Sequence, residues 1–109
     1  GLGASAEVEY RRGYPATVNT EKEAHFAARV GEKVFGRGNV VTDGEPTMGG
    51  EDFSYMLQEK PGAYVFLGQG GAQGGCFLHN PAYDFNDDVI PLGASYLSAL
   101  VEESLPARA

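Results

Sequence analysis

Ala63-Tyr64-Val65-Phe66-Leu67 is apolar at every position, and four of its five residues are aromatic, β-branched or leucine. Alternation would mark a strand wet on one face. An unbroken run of this length fits a strand buried on both faces, as in sheets with parallel members. Lys60-Pro61-Gly62 precedes it as a break, and Gly68, Gly70, Gly71, Gly74 and Gly75 follow it as a glycine-rich loop. Downstream, Asn86, Asp87 and Asp88 offer helix caps, and Pro91 is tolerable only within a first helical turn. Ile90, Ala94, Leu97, Val101 and Leu105 then recur at helical spacing, which predicts a final helix packed on the sheet by that stripe.

Upstream, Thr20-Glu21-Lys22-Glu23 has the form of a capping box, with the Thr20 hydroxyl bonding forward and Glu23 reaching back. Phe26, Val30 and Val34, widened by Ala27 and Gly31, give the helix behind it one apolar face. Gly36 supplies its stop, and His25 falls off the stripe. Val40-Val41 is a short strand candidate before the turn residues Asp43-Gly44-Glu45-Pro46. A second helix is expected after Gly49-Gly50, with Glu51 and Asp52 at its start and Phe53, Met56 and Leu57 on its buried face. Ala6 to Arg12 reads as one polar-faced strand near a sheet edge, ended by Gly13-Tyr14-Pro15. The order strand, helix, strand, helix, strand, loop, helix predicts an α/β fold with a mixed, partly parallel sheet and flanking helices. The opening strand has no hairpin partner following it.

The 109 residues suffice for one small domain with a modest core. A net charge of −7, dispersed along the chain, argues against nucleic acid or an anionic membrane surface as partner. No apolar stretch approaches the ~20 residues of a membrane span. The single cysteine, Cys76, excludes an internal disulfide framework and fits a reducing, cytoplasmic compartment. As a lone thiol it reads as a buried, inert side chain.

Two segments carry candidate chemistry. His79 lies in a loop just beyond a buried strand, where sites of α/β sheets occur, and Pro81 stiffens the backbone after it. It is either a metal ligand or acid–base group, or a plain turn residue. Asp84, Asp87 and Asp88 behind it could orient an imidazole, or serve only as turn and cap. At Gly49-Gly50-Glu51-Asp52, bare amides at a helix start could recognise a carboxylate or oxyanion. The competing reading is a tight turn with acidic residues behind it, and those two negative charges oppose a free anion.

Met48-Gly49-Gly50-Glu51-Asp52-Phe53, followed by Leu78-His79-Asn80-Pro81-Ala82-Tyr83-Asp84-Phe85-Asn86-Asp87, resembles the amidohydrolase branch of the co-catalytic metallopeptidases. That branch includes hippurate hydrolase, N-acyl-amino-acid amidohydrolases and auxin-conjugate hydrolases. Arg12 to Asn19 resembles the family's hinge, with Ala16 in place of a second proline. The three motifs fall in the family's order and cover nearly the whole chain.

The resemblance implies that residues 1–13 are the last strand of a lid or dimerisation domain. Residues 14–109 would then be the C-terminal portion of a metallopeptidase-like catalytic domain, and the lid would supply the opening strand's sheet. It implies hydrolysis of the amide bond of N-acyl amino acids by water activated between two divalent metal ions (Zn, Mn, Co or Ni). His79 matches the family's late metal-ligating histidine. The remaining ligands and the glutamate that acts as general base match nothing in these residues, so the chain alone is expected to be inactive and to bind no metal. Gly49 and Gly50 are candidates for lining the pocket around the substrate carboxylate. A homo-oligomer formed through the lid is implied as well. The alternative is a stand-alone small α/β binding or interaction module without catalytic activity.

Overall fold

The computed structural model describes residues 2–70 and 76–105; Gly71, Gly74 and Gly75 of the glycine-rich loop lie outside the described residues. Three α-helices organise it: α1 (Glu21–Phe35), α2 (Phe53–Glu59) and α3 (Ile90–Ser104). Single 3₁₀ turns at Arg37–Asn39 and Asp87–Val89 follow α1 and lead into α3.

Helix α1 starts after Thr20, with Glu21 and Glu23 in its first turn and Lys33 in its last, each charge matched to the helix dipole. It stops at Gly36, whose φ of 86° suits a residue without Cβ, and the Gly36 N–H donates to the Glu32 carbonyl at 3.0 Å. Asn39 closes the end by donating from its side chain to the Phe35 carbonyl at 2.7 Å. The start differs from the expected capping box. Thr20 does stand at the N-cap, but its hydroxyl makes no cap bond to the helix. It accepts instead from the Gly62 N–H at 3.1 Å, while the Thr20 N–H donates to the Gly62 carbonyl at 2.9 Å. The backbone donor that Glu23 would have reached is thereby used, and Glu23 Oε2 is buried with no hydrogen-bond partner among the described residues.

The core lies between α1 and α3. Ala27, Val30 and Tyr96 are its buried apolar residues. Tyr96 donates its hydroxyl to the Ala27 carbonyl at 3.0 Å, and its ring lies 5.4 Å from that of Phe35. Gly31 permits this approach: a Cβ there would stand 3.3 Å from Val40 Cγ2 and 3.7 Å from Tyr96 Cε2. Lys33 and Glu103 pair across the outer edge of the two helices.

Pro91 sits in the first turn of α3, where its missing N–H costs nothing. The stripe expected to pack does not. Ile90, Leu97, Val101 and Leu105 are exposed, and the face turned toward α1 carries Tyr96 and Glu103. Helix α3 holds apolar residues on more than one face, so spacing alone did not select which face meets α1.

No strand ladder forms among the described residues, and Ala63–Leu67 runs without one. Residues 62–64 are paired with residues 19–20 through the Asn19 and Thr20 side chains and one main-chain bond instead. Asn19 Oδ1 accepts from the Tyr64 N–H at 2.7 Å, and Asn19 Nδ2 donates to the Tyr64 carbonyl at 2.9 Å. Residues 4–13 are exposed and carry no regular element. The radius of gyration, 18.9 Å, exceeds the ~13 Å of a compact chain of this length.

Candidate functional site

The segment before α2 folds around Glu51. Its carboxylate accepts from the Phe53 N–H at 3.1 Å, and its carbonyl accepts from the Ser54 N–H at 3.2 Å and the Ser54 hydroxyl at 2.6 Å. Asp52 takes the next donor, the Tyr55 N–H, on its carbonyl at 3.0 Å. The first amides of this short helix are therefore engaged by the chain itself, and the anion at its start is Glu51.

Tyr64 reaches Glu51 from the apolar segment, its hydroxyl facing the carboxylate. The Phe53 amide first, and the Tyr64 hydroxyl second, hold the Glu51 carboxyl below the usual glutamate range. The same approach, together with the negative charge of Glu51, raises Tyr64 above the usual tyrosine value. The Tyr64 ring is packed between Phe53 and Phe66, with centroids 5.4 and 5.3 Å away.

Gly49 and Gly50 have different surroundings. A Cβ at Gly49 would meet nothing within 4 Å, whereas one at Gly50 would lie 3.0 Å from Tyr14 Cδ2. Tyr14 in turn meets Tyr55 edge-on, ring centroids 5.7 Å apart.

His79 occupies the tip of two consecutive turns. The Asn80 N–H donates to the Phe77 carbonyl at 3.1 Å and the Tyr83 N–H to the Asn80 carbonyl at 2.9 Å. Asn80 Oδ1 also accepts from the Ala82 N–H at 2.9 Å, so Asn80-Pro81 forms the Asx-type turn to which that pair is suited. In the first turn His79 takes the third position with φ 71°, the left-handed value that a type II turn requires there. Its side chain is exposed. The base of this excursion is closed by Asn86. Its N–H donates to Gln69 Oε1 at 3.1 Å, its Nδ2 donates to the Gln69 carbonyl at 2.9 Å, and its Oδ1 caps the Asp88 N–H at 3.1 Å.

These contacts bring together Tyr14, Asn19, Gly50, Glu51 and Tyr64. Among the described residues, no three His, Cys, Asp or Glu side chains converge as a metal centre would require. His79 by itself does not make one, and no step through a metal follows from the residues present. Sequence patterns placed Asn19 only as the last residue of the hinge segment, without a role, and did not single out Tyr64. Asn19 precedes a capping signal that masks it, and Tyr64 reads as one more apolar strand residue.

Residues 3–103 match peptidase family M20/M25/M40. The chain is 35% identical over 86 residues to hippurate hydrolase of Campylobacter jejuni, covering 79% of this chain and 22% of that protein. It is 36% identical over 95 residues to thermostable carboxypeptidase 1 of Saccharolobus solfataricus, covering 84% and 23%. It is 33% identical over 100 residues to IAA-amino acid hydrolase ILR1-like 2 of Arabidopsis thaliana, covering 91% and 23%. The chain thus spans about a quarter of the length of the curated relatives it matches. No solved structure matches it.

Proposed function

The chain belongs to peptidase family M20/M25/M40, and we propose that it is the C-terminal part of a metal-dependent amidohydrolase acting on N-acyl amino acids. The observation that carries this reading is the co-occurrence, in order, of Met48–Phe53 and Leu78–Asp87 within the matched span. The names hippurate hydrolase and IAA-amino acid hydrolase among the relatives favour an acyl or acyl-like group joined to an amino acid. In this reading His79 supplies one ligand to a pair of divalent ions, drawn from Zn, Mn, Co or Ni, that activate water. The two-turn scaffold and the exposed imidazole suit it to meet groups contributed from elsewhere. Gly49 and Gly50 line the substrate pocket; the open surroundings of Gly49 allow a close approach.

The proposed fold is the C-terminal portion of a partly parallel α/β domain, with residues 1–13 as the last strand of a lid that mediates homo-oligomerisation. The surface supports this. The accessible area is 9750 Å², against about 5,800 Å² for a compact folded protein of this mass. The excess includes Phe66 and the α3 stripe of Ile90, Leu97 and Val101, faces that further polypeptide would cover. A stand-alone module would bury such faces within itself. Among the described residues no helix is long and apolar enough to cross a membrane, and the proposed location is cytoplasmic.

The test is expression of the whole reading frame that encodes these residues, assayed on hippurate and other N-acyl amino acids. Hydrolysis that a chelator stops, Mn²⁺ or Zn²⁺ restores, and His79→Ala abolishes is the expected result. A folded, metal-supplemented protein that cleaves no N-acyl amino acid would overturn the reading.

A further inference from the structure

We infer that Tyr14 is a positioning residue that couples the N-terminal arm, residues 4–13, to the Gly49–Asp52 turn, with Gly50 as its socket. The arm is exposed along its length, Val8 at 85% and Tyr10 at 83%. At its root Gly13 stands in open space, a Cβ there meeting no heavy atom within 4 Å, and a glycine has the widest backbone freedom to pivot. One residue later it is held. The Tyr14 ring covers Gly50 so closely that a Cβ would stand 3.0 Å from Cδ2 and 3.7 Å from Cε2, and its edge contact with Tyr55 fixes the ring from a second side. A Cβ contact at 3.0 Å is tighter than nearly all real ones, so a side chain at position 50 forces the Tyr14 ring to give way by a few tenths of an ångström. Pro15 fixes the backbone immediately afterwards.

The contact closes a circuit. Gly50 adjoins Glu51, whose carboxylate accepts from the Phe53 N–H and faces the Tyr64 hydroxyl. The Tyr64 backbone is bound on both its N–H and its carbonyl by Asn19, five residues after Tyr14. The root of the arm is thus tied at Gly50 on one side and at Tyr64 on the other, and Glu51 joins the two ties. A change of arm direction that lifts Tyr14 releases Gly50 and loosens the turn, while rotation confined to Gly13 leaves it in place. The turn therefore senses the arm through one ring. This inference builds on the proposal that Gly49 and Gly50 line a pocket, but the coupling belongs to the chain's own geometry.

The test is amide hydrogen exchange by NMR on the chain and on Tyr14→Phe, Tyr14→Ala, Gly50→Ala and the Tyr14→Ala/Gly50→Ala double variant. Tyr14→Ala and Gly50→Ala each should speed exchange at the Phe53 and Ser54 amides, which Glu51 accepts, by about three- to tenfold. The double variant should be no faster than the faster single variant, because both remove one contact. Tyr14→Phe should match the parent. Unchanged exchange in Tyr14→Ala, or additive effects in the double variant, would overturn the coupling. Should a variant lose protection throughout α1 and α3, the parent chain decides: a nuclear Overhauser contact from the Tyr14 ring to the Gly50 α-protons supports the seat, and its absence refutes it. No hydrolysis enters these measurements, so their failure is distinguishable from failure of the amidohydrolase reading.

Discussion

The side-chain amide of Asn19 holds both backbone groups of Tyr64, accepting from its N–H at 2.7 Å and donating to its carbonyl at 2.9 Å. One residue on, Thr20 and Gly62 exchange a second pair of bonds, from hydroxyl and main chain. A side chain thus serves as a one-residue strand against the apolar segment, and it fixes where Tyr64 meets Glu51.

Replacing Asn19 with Ala removes two hydrogen bonds from this clamp, and a loss of about 1–2 kcal/mol in stability is expected. Asn19→Asp retains the acceptor but sets a carboxylate oxygen against the Tyr64 carbonyl, and should cost at least as much. Exchange of the Tyr64 amide, followed together with urea denaturation, measures both effects. A Tyr64 amide equally protected in Asn19→Ala would show that the clamp carries no stability.

The contact between α1 and α3 should depend on the Tyr96 hydroxyl. Tyr96→Phe removes the hydroxyl's bond while the Ala27 carbonyl keeps its intrahelical one, and is expected to cost about 0.5–1.5 kcal/mol, whereas Tyr96→Ala adds a cavity and should cost about 3–5 kcal/mol. Gly31→Val should be comparably damaging to Tyr96→Ala, since even a Cβ there sits 3.3 Å from Val40 Cγ2. Denaturation midpoints rank the three.

Glu51 and Tyr64 give the pH dependence opposite signs at the two ends of the scale. The Glu51 carboxyl is held below its ordinary 4.5, so its contribution is present above that value and is lost as pH falls through the depressed one. Tyr64 is raised above its ordinary 10.0, so its contribution is present below that value and is lost as pH climbs through the raised one. Titration of the Tyr64 ring carbons by NMR should therefore move toward 10.0 in Glu51→Gln. A Tyr64 titration that ignores this substitution would refute the coupling of the two groups.

His79 combines a left-handed backbone with an exposed imidazole, so its conformational and chemical roles can be separated. His79→Gly suits φ 71° and should preserve or slightly raise the stability of this chain, while His79→Val should lower it by about 1–2 kcal/mol. Titrating the unmodified chain with Zn²⁺ or Mn²⁺ should give no stoichiometric binding and no rise in melting temperature, because one histidine is a single ligand. Tight one-to-one binding measured by calorimetry would show a complete site.

The sequence by itself determined α1, from the stop at Gly36 to the buried Ala27, Val30 and Gly31, and it determined that Pro91 would open a helix. It also determined the family, through motifs whose order survives whatever the surroundings. These features are local: a cap, a stop or a motif is written in consecutive residues. Only the tertiary structure decided that Thr20 bonds Gly62 in preference to its own helix, leaving Glu23 Oε2 without its expected partner. It alone decided that α3 meets α1 with Tyr96 while Leu97 and Val101 stay exposed, and that Gly50 accommodates the ring of Tyr14. Each of those outcomes is a competition between a local partner and one far along the chain. Local patterns record that a donor, a glycine or an apolar face exists. Which partner it takes depends on what the fold brings within reach.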